Sequence, residues 1–534
     1  MHKRNKFQLN FLFKKKFLDS FKTLVDTLIL LTPSDSGVFN LNQRYKFLVN
    51  LINKLFETLN NEAYLITSLT YPIASILFTL FSNLRQVISQ IKKQQLFSES
   101  LALNQKQKQQ ATLNTADLFD IFRKIIDYLL NSSLTNIKVR THLYATILNY
   151  LTIFDDTTNL EDLYYMLNSD KTNLSQQQQQ AATTQNIEFY ENIQIISKSS
   201  NGLLKLICSD SCEGLNITTM MGLCLLNKLV EIDVANNWLN FLSSKGYIAC
   251  IINTILNTDN QLLEECFHSQ VKNDKILYVF ETKIAFLITV SKSNAGAKCL
   301  LKNGLINALT SASVFAIRIK FDRILYQRNQ NNQLLQQLLH QYYQIFFPTL
   351  DLCISILNSM GADNIEAKSQ IAKFVLYHSD TFIHVLTSRC MDIKMLEELK
   401  LVTSLLSKLV PFDQLKFESL SSQYAIEYSS IFSRIQKETL NLISTFLASD
   451  QLKQIKKEIE STQMSCHPDG NFNKEAFKRN LNSYCVEIAS NICSFCLNVM
   501  KQSQFNAALI VFSPNIEISH LNPCKLFYNK VNIH

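Results

Sequence analysis

The segment FVLYHSDTFIHVLTSRC, residues 374–390, contains two histidines, two serines, an aspartate and a cysteine. Nucleophilic enzymes and metal sites use these residue types. A Ser-His-Asp site needs its three side chains to converge within hydrogen-bond reach, and they usually come from separate parts of a fold. Because His378, Ser379 and Asp380 are consecutive, their side chains diverge on any regular backbone. The spacing therefore argues against a catalytic site in this segment.

A metal site does not fit this segment either. His378 and His384 are six residues apart, which is about 240° around a helix, whereas two ligands on one helix need a spacing of four. We predict instead that one helix ends near Tyr377 and that Asp380 caps the next helix. The side chains that then point into the core are Phe382, Val385 and Leu386.

The thirteen cysteines are scattered through apolar segments. Cys493 and Cys496 form a C-x-x-C pair, and Cys485 lies eight residues earlier, but zinc needs a second such pair or a histidine pair in turns. This pair lies in an apolar helical pattern, where cysteine acts as a small hydrophobic residue. Phosphate-binding glycine loops are absent from the sequence. We predict no metal site, no cofactor and no enzymatic activity.

Composition indicates the elements that carry these residues. The 534 residues include only 9 glycines and 7 prolines, while 47% are apolar and 18% are charged. Strands need frequent turns that use glycine and proline, so the chain is predicted to be all-α. The apolar residues of 343–357 recur with helical spacing before Gly361, and those of 396–409 do so before Pro411. The scattered cysteines and the absence of a secretory signal pattern near the start favour reduced thiols in the cytosol or nucleus.

One short pattern occurs twice, 58 residues apart. Leu242-x3-Gly246-x-Ile248-x2-Ile251 is followed by Leu300-x3-Gly304-x-Ile306-x2-Leu309. The pattern predicts a helix that ends at a left-handed glycine, with the next helix starting at once. Armadillo and HEAT repeats use this corner, so we predict a superhelical α-solenoid of stacked helical pairs.

Gln-rich segments near residues 104 and 175 divide the chain into three predicted parts: a helical segment with a basic start (1–100), helices flanked by Gln-rich loops (101–190) and a C-terminal solenoid tail (191–534). Residues 63–83 carry no charge over a bilayer-spanning length, but they are predicted to form a buried helix rather than a membrane span. Ten Lys or Arg and three Asp among residues 1–55 account for +7 of the net charge of +8. Lys14–Lys16 are predicted to form a solvated helix face, and contact with a phosphate or weak contact with a membrane is the alternative.

Five segments, in the same order, resemble the C-terminal tail of the largest inner-ring scaffold nucleoporins of the nuclear pore complex. The first, LLKLICSDSCEGLNITTMMGLCLLNKLVEID, is similar to a corner of that family that leads into a Met- and Leu-rich helix. The other four lie at residues 238–248, 278–306, 347–411 and 492–514.

The resemblance implies a non-enzymatic superhelical scaffold in the nuclear envelope, within the inner ring of the pore. It also implies capture of a short amphipathic helix from the linker nucleoporin that anchors the central channel trimer. The absence of Phe-Gly dipeptides among 35 phenylalanines agrees with a scaffold. The alternative is a HEAT-type nuclear transport receptor or cytosolic adaptor, whose inner surface would be acidic.

We place the capture groove at the C-terminal end of the chain. An amphipathic partner helix docks through apolar residues at i, i+4 and i+7, so the groove itself must be apolar. An ordinary core role is the alternative for these side chains. The candidate residues are Ile488, Ile492, Phe495, Val499, Leu509, Val511 and Phe512.

Overall fold

The structure of the protein is a computed structural model. It describes residues 16, 20–24, 27, 41–61, 67–100, 116–131, 136–153, 184–214, 216–233, 235–268, 274–318, 333–389, 392–410, 422–466 and 473–502. All regular secondary structure in these ranges is helical, so the prediction of an all-α fold of the solenoid class is confirmed. The chain divides into two compact units, Met1–Thr254 and Ile255–His534. The boundaries predicted at the Gln-rich segments stay predictions.

The first unit is built from helical pairs. The helices are α1 (Leu41–Asn61), α2 (Thr67–Ser100), α3 (Ala116–Asn131), α4 (Ile137–Thr152), α5 (Thr184–Glu213), α6 (Asn216–Ile232), α7 (Asn237–Ser244) and α8 (Tyr247–Leu262). The boundary between the two units lies within α8. α1 packs on α2, α3 on α4, and α5 on α6. In addition, α2, α4 and α6 pack side by side in one layer, and α1, α3 and α5 do so in the other.

The second unit repeats this arrangement. Its α-helices are α9 (Asp274–Ser291), α10 (Asn294–Lys302), α11 (Leu305–Ser311), α12 (Gln333–Met360), α13 (Ile365–Tyr377), α14 (Ser379–Thr387), α15 (Ile393–Leu409), α16 (Ser422–Phe446), α17 (Ser449–Cys466) and α18 (Lys474–Gln502). A π-helical turn (Leu263–His268) follows α8, and a 3₁₀ helix (Ser313–Ile317) follows α11.

Two layers of helices form the second unit. The long helices α9, α12, α15 and α18 pack side by side in chain order, and the second layer contains α11, α13, α14 and α16. Within the first of these layers, α15 lies between α12 and α18. Each helix therefore covers the apolar side of its neighbours, which is the packing that defines a helical-repeat solenoid.

The predicted apolar stripes lie in the core. Leu396, Leu399, Val402, Leu405, Leu406 and Leu409 of α15 are all buried, and in α12 only Ile354 of the predicted stripe is half-buried. Residues 67–83 of the predicted buried segment belong to α2, where Leu77, Leu80 and Phe81 are fully buried. No single described helix has both the length and the apolar character to cross a membrane. Two pairs of consecutive helices have this length and apolar character only when the two helices are taken together. They are residues 237–267, with a bend of 63° between the helices, and residues 294–317, with a bend of 55°.

Buried ion pairs join neighbouring helices in each unit. In the first unit the Arg140 guanidinium of α4 donates two hydrogen bonds of 2.7 Å to the Asp210 carboxylate of α5, and the Tyr144 hydroxyl donates a third of 2.8 Å. In the second unit Arg318 pairs with Glu398 of α15 at 3.4 Å, and their side chains are only 1% and 2% exposed. Removing one partner of such a pair leaves an uncompensated buried charge, at a cost of about 3–5 kcal/mol.

The two glycine corners adopt the predicted conformation. Gly246 and Gly304 both have φ of 76°, and the next helices begin at Tyr247 and Leu305. The Gly304 N–H donates to the Leu301 carbonyl at 3.1 Å, which satisfies one of the last carbonyl groups of α10. A Cβ atom at either glycine would meet no atom within 4 Å, so the backbone conformation alone demands glycine.

We expect Gly304→Ala to lower the free energy of unfolding of the second unit by about 1–2 kcal/mol, because an L side chain is strained in the left-handed region. Gly304→Asn is the matched control, and it should lose less because asparagine tolerates this region. Urea denaturation followed by circular dichroism measures both variants. Equal losses of unfolding free energy in Gly304→Ala and Gly304→Asn would show that strain of the left-handed backbone conformation is not the cause.

Candidate functional site

The segment 374–390 forms a corner between two short helices. α13 ends at Tyr377, α14 begins at Ser379, and His378 lies between them. Asp380 is exposed in the first turn of α14, one position past the start of the helix, so the prediction that it caps this helix is wrong. Its carboxylate is still favourable there because the N-terminus of a helix carries partial positive charge. The predicted inward residues Phe382, Val385 and Leu386 are buried.

The side chains of this corner point apart. His378 is 4% exposed and its ring lies edge-on to Phe315, Phe374 and Tyr377, with centroids 5.0–5.4 Å away. Burial lowers the pKa of His378 to about 4, although the nearby carbonyls of Leu309 and Thr310 favour the protonated form. The ring is therefore neutral at physiological pH and is surrounded by aromatic side chains. His378 therefore packs as a core residue.

The cysteines of the described residues lie within the helical packing. Burial raises the pKa of the Cys353 and Cys496 thiols to about 12 and that of Cys266 to about 11. Thiols of this kind stay protonated near neutral pH, whereas the thiolate is the nucleophile and the metal ligand. Within the described ranges, no three or more His, Cys, Asp or Glu side chains are grouped closely enough to hold a metal ion.

Four predicted groove residues face the interior of the second unit. Ile488, Ile492 and Phe495 are 0% exposed and Val499 is 3% exposed, on the side of α18 that packs in the core. Asn491 and Asn498 of the same helix donate to the Lys400 and Ser407 carbonyls of α15 at 3.2 and 3.1 Å. These four side chains therefore have the core role that the sequence left as the alternative. The other three candidates, Leu509, Val511 and Phe512, lie outside the described residues.

A second apolar stripe lies on the opposite side of α18. Val486 is 67% exposed, Leu497 is 45% exposed and Met500 is 40% exposed, and Cys493 between them is half-buried. At 100° per residue these positions lie more than about 100° around the helix from the asparagines that contact α15. We call these four residues the α18 flank. In a layered stack, this is the side on which a further helix would pack.

Sequence reasoning missed the α18 flank although its spacing is helical. Residues 486, 493, 497 and 500 follow the same period as 488, 492, 495 and 499. Both stripes are apolar, so the pattern alone does not show which one is covered. The neighbouring helices decide which stripe is covered, and they cover residues 488, 492, 495 and 499.

Helical pairs stacked in two layers, with glycine corners and an open apolar flank, define the class of helical-repeat scaffold and adaptor proteins. Residues 2–410 match the model of a family described as nuclear pore complex scaffold, nucleoporins 186/192/205. Because this match covers most of the chain, the protein belongs to that family, and the resemblance seen in the sequence is confirmed.

Three relatives agree with this assignment. The chain is 27% identical to the nuclear pore complex protein Nup205 of Homo sapiens over 535 residues, which cover 94% of this chain and 25% of that protein. It is 24% identical to Nup205 of Drosophila melanogaster over 401 residues, or 72% and 18% of the two chains. It is 22% identical to NUP205 of Arabidopsis thaliana over 231 residues, or 42% and 12%. The chain spans a quarter or less of the length of these relatives.

We expect Phe495→Asp to destabilise the packing of α18 by at least about 3 kcal/mol, because it removes a buried ring and leaves an unpaired charge in the core. Val486→Asp on the same helix should change stability by less than about 0.5 kcal/mol, because Val486 is exposed. Hydrogen exchange of the α18 amides measures both variants. Equal protection in the two variants would contradict the burial of Phe495.

His378 predicts a loss of stability in mild acid. Its folded-state pKa lies below its unfolded value, so the unfolded chain binds more protons between about pH 6.5 and pH 4, and stability falls as the pH falls. We expect a loss on the order of 2 kcal/mol from pH 7 to pH 5. His378→Gln should remove much of this dependence of unfolding free energy on pH, as measured by urea denaturation. His340 is exposed, so His340→Gln should keep the dependence. An unchanged dependence of unfolding free energy on pH in His378→Gln would contradict the prediction.

Proposed function

We propose that this chain is part of the structural scaffold of the nuclear pore complex at the nuclear envelope, where it supports pore assembly and nucleocytoplasmic transport by binding other nucleoporins. Its membership of a scaffold nucleoporin family is the observation that carries the proposal. The two-layered helical packing supports it, because stacked repeats present long surfaces suited to protein binding. Family membership also favours a scaffold over the transport receptor or cytosolic adaptor that the sequence left open.

The proposed mechanism is capture of an amphipathic helix from the linker nucleoporin that anchors the channel trimer. Two features of α18 support its C-terminal half as the place of capture. One side of the helix is fully covered by its own unit, and the other side, the α18 flank, exposes apolar side chains. A partner helix would pack there through residues at i, i+4 and i+7.

In this proposal the covered and exposed stripes of α18 have different roles. Ile488, Ile492, Phe495 and Val499 hold α18 in place, and the α18 flank contacts the partner. Central apolar anchors in such interfaces contribute about 2 kcal/mol or more each. Weak membrane contact through the basic N-terminal region remains a separate prediction. Lys16 is exposed, and Lys14 and Lys15 lie outside the described residues.

We expect the double variant Leu497→Asp with Met500→Asp to reduce capture of the linker nucleoporin from nuclear envelope extracts by at least about tenfold, because two charges would be buried against an apolar helix. The matched control is Ile365→Asp, which also places a charge at a partly exposed apolar position of the second unit, 38% exposed. It should bind like the unmodified chain.

Quantitative affinity capture on the full chain measures these variants, and circular dichroism checks that both remain helical. Unchanged capture by the double variant would contradict the placement of the partner on the α18 flank. Failure of the unmodified chain to capture the linker nucleoporin would contradict the mechanism itself.

A further inference from the structure

Two helices that pack side by side leave a shallow groove along their seam, and α2 and α4 of the first unit pack in this way. The ring centroids of Tyr71 in α2 and His142 in α4 are 5.2 Å apart, and further along the seam the Arg85 guanidinium donates to the Asn149 side-chain oxygen at 3.2 Å. The two helices therefore run in the same direction. We call this seam the α2–α4 groove. Its α2 wall consists of residues that recur every seven positions and so lie on one side of the helix: Tyr71, Phe78, Arg85 and Lys92.

The N-terminal end of the α2–α4 groove is aromatic. Tyr71 is 41% exposed, and Phe78 and His142 are half-buried with their ring centroids 6.1 Å apart. The residues one turn further on, Ser82 and Ala145, are small. A helix that lies in this groove can therefore approach closely and pack an apolar side chain against the rings.

Basic groups line the rest of the groove. Arg85 is exposed, Lys92 is half-buried and donates to the first backbone carbonyl after α4 at 2.8 Å, and Lys138 is exposed at the start of α4. Among the described residues, neither Arg85 nor Lys138 forms an ion pair. Lys22 adds positive charge at the aromatic end, where burial and then the charge of this lysine lower the pKa of His142.

Carboxylates are scarce on the helices of this layer. The first turns of α2, α4 and α6 contain no acidic residue, and α4 contains none along its whole length. The acidic residue of α2 is Glu99, next to the last residue of the helix, and that of α6 is Glu231, which pairs with Lys228 at 3.0 Å. The N-terminal ends of the helices add partial positive charge. The groove therefore has an excess of positive charge, so the complementary ligand is negative.

The shape of the groove and the order of its groups favour one class of partner. A long groove with rings at one end and basic groups along it fits an amphipathic helix that carries apolar and acidic residues. A nucleic-acid strand stacks successive bases on aromatic side chains along a basic track, whereas the Tyr71 and His142 rings are tilted by 57° and lie at one end. Membrane insertion needs apolar side chains that project from the surface, and Phe78 is half-buried in the seam. A second copy of the same groove would be repelled by its charge.

We propose that the α2–α4 groove binds an acidic amphipathic helix of another protein, through apolar contacts with Tyr71 and Phe78 and ion pairs with Arg85 and Lys138. The groove lies entirely in the first unit, whereas the α18 flank lies in the second. The proposal therefore goes beyond capture of the linker nucleoporin and does not depend on it.

The test uses the full chain and two labelled peptides of about 20 residues, which span about 30 Å as a helix. Both peptides have leucine and alanine in the same helical pattern, and their polar positions are glutamate in one and lysine in the other. We expect fluorescence anisotropy to show at least about tenfold tighter binding of the glutamate peptide, with an affinity that falls as salt is added. Equal affinity for the two peptides would overturn the proposal.

Two double variants locate the binding. Arg85→Glu combined with Lys138→Glu should weaken binding of the glutamate peptide by at least about tenfold. Lys198→Glu combined with Lys205→Glu makes the same change in net charge at exposed positions of α5, in the other layer, and affinity should stay within about twofold. Equal losses in the two double variants would show that only net charge matters, and the proposal would fail.

The apolar contact is tested separately. Tyr71→Ser should weaken binding of the glutamate peptide about fivefold, while Tyr278→Ser, at a position that is 49% exposed in the second unit, should leave it unchanged. Circular dichroism checks that all variants remain helical. Equal affinity in the two tyrosine variants would contradict the predicted contact with Tyr71.

Other ligand classes give a different result. The proposal is overturned if an oligouridine strand or phosphatidylserine vesicles bind more tightly than the glutamate peptide and lose that binding in Arg85→Glu with Lys138→Glu. Capture of the linker nucleoporin should be unchanged in every variant of the groove. Failure of this proposal and failure of the proposed function are therefore distinguishable.

Discussion

The dependence of each helical pair on its neighbours is the constraint behind the whole structure. An amphipathic pair has more apolar surface than its own two helices can cover, so it is stable only when another pair packs against it. In the second unit this produces the row α9, α12, α15 and α18, with shorter helices behind it. Each helix added to the row covers the exposed apolar flank of the previous helix and exposes a flank of its own. A row of this kind therefore has an apolar flank at its end. The α18 flank has that position in the described part of the chain.

Apolar packing restricts the rotation and register of neighbouring helices, and buried polar pairs restrict them further. Arg140 with Asp210 in the first unit, and Arg318 with Glu398 in the second, place buried charges where only one alignment pairs them. Such pairs contribute little net stability, because removing two charges from water is costly, but misaligned packing would leave each charge unpaired. The corners at Gly246 and Gly304 limit the chain path in a different way, through backbone conformation. Polar pairing and corner geometry together restrict how the pairs stack.

The proposed scaffold function is consistent with the way the polar and sulfur-containing side chains are placed in the described residues. His378 and Cys496, which first suggested chemistry, are buried, and burial favours the neutral form of each side chain, so both contribute volume to the core. The surface feature that stands out among the described residues is the α18 flank. An exposed apolar stripe of this kind is suited to packing against another helix. This agrees with a family of nuclear pore complex scaffold proteins.

The sequence by itself determined the all-α class, the helical repeat, the two glycine corners and the family, because these depend on local periodicity, backbone conformation and segment order. The tertiary structure decided the rest. Both stripes of α18 have the same apolar period, and only the positions of its neighbours in the second unit show that Phe495 is covered and Leu497 is exposed. Lys400 and Glu487 meet only because α15 and α18 pack side by side, although the two residues lie far apart in the sequence. Periodicity is a local property, whereas burial depends on neighbouring helices, so the core could be predicted from the sequence more fully than the surface.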